Sequence, residues 1–253
     1  MSEQEKKVYV VIPSRYGSGR LPGKPLIILA GRPLILHVLD RAKEIKGVDR
    51  VIVATDDERI AKAVKQDGEE AIMTPEDLKT GSDRVGWVIK NLNCDIVINL
   101  QGDEPLIDTV AIQNAIEALK LDNDLQVTTL GFPLKSKKVW RNPNVVKIVT
   151  DENQNALYFS RESIPFFRNG KFQYLDGLYQ HLGVYIFRRE FLLKFLEWES
   201  SPFEIAEKLE QLRILAKGYK IRVIKTDSPS FGVDTPDDIA KVEELLKKKR
   251  TGS

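Results

Sequence analysis

Short runs rich in Val and Ile alternate with longer segments of helical period along most of this chain, and this alternation restricts the fold more than any other feature. The pattern is typical of parallel strands joined by crossover helices, because a strand buried on both faces is apolar throughout. It predicts an α/β fold. The predicted strands are Val8–Ile12, Val51–Ala54, Ile96–Leu100, Val127–Gly131, Val145–Thr150, Ala156–Ser160, Leu182–Phe187 and Ile221–Lys225. The predicted helices are Pro33–Ile45, Asp57–Gln66, Ser82–Asn91, Thr109–Leu119, Arg189–Trp198, Pro202–Lys217 and Pro236–Lys249.

The regular alternation stops near Gly131, and several strand signals then follow one another with little helix between them. This change predicts a β-rich subdomain at about residues 133–187, inserted into a single domain that spans residues 1–250. Inside it, Asn169–Gly170 predicts a hairpin turn, since both positions tolerate positive φ. The tail at residues 251–253 is given no function.

Composition limits the partners and the location of the protein. A chain of 253 residues can bury a large core without disulfides. Its 39 basic and 37 acidic residues give a net charge of +2, so no overall field attracts nucleic acid or an anionic membrane. The lone cysteine, the polar start and the lack of a long apolar run predict a cytoplasmic protein without membrane insertion. An anion must therefore be bound by a local group of residues and not attracted by the overall charge of the protein.

A glycine-rich loop with three basic residues follows the first predicted strand. The loop covers residues 13–25 and carries Arg15, Arg20 and Lys24. Glycine amides and cations together suit a triphosphate, whose charge is roughly −4. Neither common nucleotide fingerprint fits, since a proline follows Lys24 and Pro22 stands where a third glycine would be needed. A solvated turn is the alternative, but ligands collect at the carboxyl ends of strands in such sheets. The position therefore favours phosphate binding.

Acidic residues also stand where strands end. Asp103 follows the strand Ile96–Leu100, and Asp234 precedes Thr235, a residue suited to cap the next helix. Mg²⁺ is usually held by one or two carboxylates with phosphate and water. Helix capping is an equal alternative for Asp103, whereas Thr235 leaves Asp234 available. A further acid, Asp57, is expected to cap a helix. Asp103 and Asp234 are thus candidate ligands for Mg²⁺ as a cofactor, with helix capping left open as the alternative.

Eight motifs, in order along the chain, resemble the 3-deoxy-manno-octulosonate cytidylyltransferase (CMP-KDO synthetase) family, and the match runs from Val8 to about Glu244. The motifs are Pro13–Leu26, Ala54–Asp57, Thr80–Arg84, Gln101–Pro105, Leu157–Arg161, His181–Tyr185, Leu209–Arg213 and Gly232–Pro236. The resemblance implies a Rossmann-like nucleotidyltransferase fold with a mostly parallel central sheet. It also implies a homodimer in which the β-rich subdomain serves dimerisation.

The reaction implied by the resemblance joins CMP to a sugar acid for lipopolysaccharide synthesis. The anomeric 2-hydroxyl of 3-deoxy-D-manno-octulosonate (KDO) attacks the α-phosphorus of CTP and expels pyrophosphate. The implied catalytic residues are Lys24, Asp103 and Asp234. The implied nucleotide contacts are Pro13, Arg15, Arg20, Lys24, Ser82, Arg84 and Gln101. The implied sugar-acid contacts are Gln101, Arg161, His181, Tyr185, Glu210 and Gln211. A second Mg²⁺ at Asp103 and Asp234 is a hypothesis for how the hydroxyl loses its proton.

Other interpretations remain open from the sequence alone. His181 could be an ordinary structural histidine, and Arg161 an ordinary charge at a strand end. The acceptor could be KDO or its 8-amino form. A nucleotidyltransferase acting on sialic acid or a sugar phosphate is the nearest alternative enzyme, and a nucleotide-sensing regulator is an alternative of another class. A nicotinamide dehydrogenase is disfavoured by Pro22.

Overall fold

The computed structural model describes residues 6–17 and 21–251, with side chains up to residue 248. Its strands are β1 (Val8–Ser14), β2 (Ile28–Leu29), β3 (Arg32–Pro33), β4 (Arg50–Thr55), β5 (Ala71–Met73), β6 (Ile96–Asn99), β7 (Val127–Pro133), β8 (Lys147–Thr150), β9 (Ala156–Ser160), β10 (Leu178–Arg188) and β11 (Arg222–Lys225). Its helices are α1 (Leu34–Lys43), α2 (Glu58–Gln66), α3 (Gly81–Ile89), α4 (Thr109–Leu121), α5 (Lys137–Trp140), α6 (Arg189–Leu196), α7 (Pro202–Glu207), α8 (Gln211–Ala216) and α9 (Pro236–Thr251), with a 3-10 turn at Lys24–Leu26. None of these helices is both long and apolar enough to cross a membrane.

The chain divides into two compact units, and the first is built on a parallel sheet. This unit contains the described residues up to Gln113 and those from Pro229 onward. Its strands lie in the order β6, β1, β4, β5, and every pair is parallel. The central strand β1 is buried along nearly its whole length because helices cover the sheet. The prediction of an α/β fold with a mostly parallel sheet is confirmed.

The carboxyl ends of these parallel strands bring three loops to one edge of the first unit. Ser14 ends β1 opposite Thr55 of β4, so the loops that follow leave the sheet together. The loop after β6 lies against β1, since a Cβ atom at Gly102 would stand 3.2 Å from the Pro13 carbonyl oxygen. The segment before α9 is tied to the same place by a 3.0 Å hydrogen bond from the Val233 amide to the Asp103 carbonyl. This edge is the natural place for a ligand.

The second unit, residues 114–228, is mainly antiparallel. Strands β7, β10, β8 and β9 pair antiparallel in that order, while β11 runs parallel to β7. The predicted β-rich segment at 133–187 contains β8, β9 and most of β10. Its insertion into a single domain and its role in dimerisation both stay predictions.

Two local predictions in the second unit are wrong. The predicted helix Pro202–Lys217 is two helices, because Lys208 adopts a left-handed backbone (φ 53°) that ends α7. The pair Asn169–Gly170 does form a turn, with Gly170 at φ 70°, but the structure assigns no strand to the described residues between β9 and β10. There Phe167 and Phe172 pack on Trp140, with ring centroids 5.3 and 5.5 Å away, instead of pairing as strands.

Candidate active site

A backbone hydrogen bond closes the glycine-rich loop after β1 just before Lys24. The Gly23 amide donates to the Tyr16 carbonyl at 2.9 Å, and Gly23 has φ 70°, a conformation that favours glycine. A 3-10 turn follows at once and starts with Lys24. Arg59 lies over the Tyr16 ring at 3.3 Å and so packs against the loop. Arg20, predicted as a phosphate contact, lies outside the described residues.

Lys24 meets both predicted metal ligands. Its ammonium donates to Asp103 and, at 3.0 Å, to Asp234, a residue 210 positions later in the chain. The side chain of Lys24 is only 16% exposed, so water screens these charges weakly. Burial alone would lower the pKa of Lys24, but the charges and hydrogen bonds of Asp103 and Asp234 outweigh burial and raise it. The two carboxylates therefore converge on the ammonium of Lys24, and their predicted role as ligands of a divalent ion stays a prediction.

Helix capping does not account for either carboxylate. The cap of α4 is Asp108, whose side chain accepts from the amides of Val110 and Ala111 at 3.0 and 3.2 Å. At the start of α9 the Thr235 amide donates to Asp238 at 2.8 Å, so the turn closes without the Asp234 carboxylate. Asp57 does cap α2, as predicted.

A cavity of about 220 Å³ opens beside this ion cluster. The residues that line it are Pro13, Ser14, Arg15, Lys24, Pro25, Gly81, Gln101, Gly102 and Asp103. The Arg15 guanidinium donates to the Leu78 carbonyl, and the Gln101 amide donates to Asn99 at 3.3 Å. Most of the predicted nucleotide contacts thus come together in one place.

Ser82 and Arg84 do not reach the surface of this cavity. Ser82, in the first turn of α3, is buried and accepts a 3.2 Å hydrogen bond from Asn99. The Arg84 side chain has no exposed surface; it donates to Thr74 and forms a 2.5 Å ion pair with Asp56. Arg84 therefore holds the ends of β4 and β5, and a direct contact with the nucleotide stays a prediction for both residues.

The donor set at Asp103 and Asp234 suits Mg²⁺. Hard cations prefer oxygen ligands, and two carboxylates leave positions for phosphate and water. The ammonium of Lys24 shows that both carboxylates can face one positive charge. Among the described residues there is no group of three or more His, Cys, Asp or Glu side chains arranged for a metal ion.

Three of the predicted sugar-acid residues cluster in the second unit. The His181 and Tyr185 rings lie 5.3 Å apart, and the Glu210 charge acts on Tyr185. Burial and, second, Glu210 raise the pKa of the Tyr185 hydroxyl well above its usual value. Among the residues that the structure describes, this buried hydroxyl has no hydrogen-bond partner. Tyr185 thus stays protonated and can donate a hydrogen bond.

His181 is uncharged, and its tautomer follows from its neighbour. Burial lowers its pKa to about 3. The Thr129 hydroxyl lies 2.7 Å from the Val184 carbonyl, which can only accept, and 3.0 Å from His181 Nε2. Because the hydroxyl has one proton, which it donates to that carbonyl, Nε2 must donate to Thr129. His181 Nδ1 is therefore an acceptor.

Two more of the predicted sugar-acid residues, Arg161 and Gln211, are held by different contacts. Arg161 donates from Nε to the Glu207 carbonyl at 2.9 Å, and its own amide donates to the Glu207 carboxylate at 2.9 Å. Gln211 is buried at the start of α8, and its Nε2 has no hydrogen-bond partner in the described part of the chain. A buried amide without a partner is costly, which is typical of a group that a ligand satisfies.

Comparisons with known proteins agree with this geometry. A family model described as Cytidylyltransferase matches residues 9–221. A 3-deoxy-manno-octulosonate cytidylyltransferase of Trichlorobacter lovleyi is 46% identical over 95% of this chain and 99% of its own. That of Geobacter metallireducens is 44% identical over 96% and 98%. The chain belongs to the 3-deoxy-manno-octulosonate cytidylyltransferase family. The resemblance inferred from the motifs is confirmed.

Solved structures extend the comparison. A CMP:2-keto-3-deoxy-manno-octonic acid synthetase complexed with CTP matches with a TM-score of 0.89 at 42% identity, covering 96% of this chain and 99% of that one. A 4-diphosphocytidyl-2C-methyl-D-erythritol synthase from Anaerococcus prevotii matches with a TM-score of 0.64 at 16% identity, covering 96% and 100%. The second likeness shows a shared fold only.

One acidic residue at the site of this family member was missed by sequence reasoning. Glu104 follows Asp103 directly and accepts a hydrogen bond from the Ser230 hydroxyl. Burial and then the charge of Asp103 raise the pKa of Glu104 to about 7. Its place in the Gln101–Pro105 motif was the available signal, but the partner at Ser230 is 126 residues away.

Proposed function

We propose that this protein transfers CMP from CTP to the anomeric 2-hydroxyl of KDO and releases pyrophosphate. One observation carries the proposal: Lys24, Asp103 and Asp234, from distant parts of the chain, meet beside the cavity after β1. The relatives at 44–46% identity carry the name of this activity over nearly the whole chain. A new bond forms between the sugar oxygen and the α-phosphorus. The bond to the bridging oxygen of the β-phosphate breaks, and the hydroxyl proton leaves to solvent.

Transition-state charge in this reaction lies on the phosphoryl oxygens and on the leaving pyrophosphate. Lys24 stays charged because its pKa is raised, so it can offer its ammonium to the α-phosphate. Arg15 lines the same cavity and would contact the outer phosphates. Gln101, also on the cavity wall, can offer an amide to either substrate. Cations held in fixed positions stabilise developing negative charge, because they do not have to reorganise when the transition state forms.

Asp103 and Asp234 would hold Mg²⁺, with phosphate oxygens and water completing its coordination. Bound there, Mg²⁺ would neutralise phosphate charge and, as a second ion, lower the pKa of the attacking hydroxyl. The two carboxylates would hold the ion between two loops, which are joined by the hydrogen bond from the Val233 amide to the Asp103 carbonyl.

The sugar acid would be recognised by side chains of the second unit. His181 is neutral and cannot pair with the carboxylate, so Arg161 would bind that charge. The Tyr185 hydroxyl and the Gln211 amide both lack partners and can donate to sugar oxygens. His181 Nδ1 can accept from a sugar hydroxyl.

A pyrophosphate-release assay tests the proposal. The purified protein is incubated with Mg²⁺, each of CTP, UTP and GTP, and each of KDO, 8-amino-KDO, sialic acid and a sugar phosphate. We expect release to depend on CTP together with KDO. Release with a sugar phosphate instead would refute the proposed acceptor, and binding of CTP without turnover would indicate a nucleotide-sensing regulator.

We also propose that two copies associate through the β-rich segment. Large apolar side chains of this segment are exposed, among them Leu157 on β9 (63%) and Phe166 (87%). A group of large exposed apolar side chains is typical of an interface. Light scattering should give twice the chain mass of 28.8 kDa. Leu157→Asp should give monomers, whereas Leu121→Asp, at a position 85% exposed on α4, should not. Equal masses for both variants would refute this surface.

A further inference from the structure

The segment that carries Asp234 has no regular secondary structure of its own. Residues 229–235 run irregularly up to the start of α9. Their backbone is held by the Val233 amide, which donates to the Asp103 carbonyl at 3.0 Å, and Val233 is fully buried. A loop of this kind needs further anchors if its carboxylate is to stand in one place.

Glu104 supplies a second anchor for this loop. Its carboxylate accepts from the Ser230 hydroxyl through Oε2. Its other oxygen faces the backbone of Gly232, where an added Cβ atom would stand 3.1 Å away. Glu104 thus lies against the loop at two points, and Gly232 leaves room for it.

The arrangement has an electrostatic cost. Asp103 and Asp234 both act on the Glu104 carboxyl, and like charges this close oppose each other. An acidic side chain beside two other carboxylates destabilises the fold unless its own contacts offset the repulsion between the charges. The contacts that Glu104 makes here are those to Ser230 and Gly232.

We propose that Glu104 is a positioning residue, which fixes the 229–235 loop through Ser230 so that Asp234 faces the same cation as Asp103. The proposal rests on the proposed function for its consequence in catalysis, but the placement of the loop can be tested without substrate. Glu104 acts through Asp234 and does not itself touch the reacting atoms.

The test uses three variants and one matched control. Glu104→Ala removes the acceptor, Ser230→Ala removes the donor, and Glu104→Gln keeps an acceptor oxygen without the charge. Glu117→Ala is the control, since Glu117 pairs with Lys120 on the exposed side of α4. The first readout is amide hydrogen exchange of residues 229–235 in the substrate-free protein. The second is the Mg²⁺ concentration that gives half-maximal CMP transfer.

Glu104→Ala and Ser230→Ala should speed exchange in the loop about tenfold and raise the half-saturating Mg²⁺ concentration about tenfold, as loss of a supporting contact does at metal sites. The KM for KDO should stay within about twofold, because the sugar contacts are elsewhere. Glu104→Gln should resemble the wild type.

Wild-type exchange in both Glu104→Ala and Ser230→Ala would overturn the proposal. So would a Glu104→Gln variant as impaired as Glu104→Ala, since charge rather than the hydrogen bond would then be responsible. An equal rise in KM for KDO would indicate general damage to the fold and would also overturn it. Exchange is measured without CTP or KDO, so absence of CMP transfer in the wild type would refute the proposed function alone.

Discussion

Acid should destabilise the protein through His181, because the folded structure keeps this side chain uncharged. Its ring lies between Phe159 and Tyr185, with centroids 5.3 Å from each, and burial lowers its pKa from 6.5 to about 3. In the unfolded chain the pKa returns to its ordinary value. Below pH 6.5 the unfolded state therefore binds a proton that the folded state does not. The contribution of His181 to stability is complete above pH 6.5 and falls as the pH drops towards about 3.

The size of the effect follows from the shift in pKa. Each pH unit within this range removes about 1.4 kcal/mol, so lowering the pH from 6.5 to about 5 should cost about 2 kcal/mol. Other groups also titrate, so the comparison is with His181→Gln, which keeps a donor for Thr129. Urea unfolding at about pH 7.5 and about pH 5 gives the loss of stability for each protein. The wild type should lose about 2 kcal/mol more than the variant.

Proton NMR gives a direct check. The chain has two histidines, and the imidazole signal that is missing in His181→Gln belongs to His181. That signal should keep its neutral chemical shift down to about pH 5. A titration midpoint near 6.5, or equal losses of stability in the two proteins, would refute the reasoning.

Three further predictions concern the first unit. Asp103→Asn and Asp234→Asn should each lower kcat by about a hundredfold or more without unfolding, measured by pyrophosphate release, and near-normal turnover in both would contradict the metal assignment. Lys24→Ala should lower kcat as well as weaken CTP binding, and an effect confined to KM would limit Lys24 to binding. Gly23→Ala should destabilise the protein by about 1–2 kcal/mol in urea unfolding, because φ is 70° there, whereas Gly17→Ala, with open space around it, should not.

The parts of the fold that follow from local pattern could be predicted from the sequence. The buried strands β1, β4 and β6 are Val- and Ile-rich runs, and their order along the chain fixes which loops share an edge. This is why Asp103 could be assigned before the structure was known. The end of α7 at Lys208 could not be predicted, because the apolar period continues through it. The left-handed backbone of this lysine is not visible in the composition of the sequence.

Contacts between residues that are distant in sequence limit how much of the site could be predicted. Arg84 was expected at the nucleotide because the Thr80–Arg84 motif resembles that of the family, yet its side chain is fully buried and pairs with Asp56 and Thr74, which come 28 and 10 residues earlier. The partner of Glu104 is equally remote in sequence. The pairing of charged side chains depends on how the strand ends converge. A local sequence pattern does not predict that convergence.

In the proposed reaction, the charges at this edge would favour binding of nucleotide and cation together. Two carboxylates, Asp103 and Asp234, contact one ammonium, that of Lys24, and a third acidic group, Glu104, has a pKa raised by burial and then by the charge of Asp103. A triphosphate of charge about −4 would meet the same repulsion if it came alone. A triphosphate that carried a divalent cation would instead supply positive charge to Asp103 and Asp234. In the proposed reaction the carboxylates would hold that cation, and Lys24 would then be released from its two partners to contact the α-phosphate.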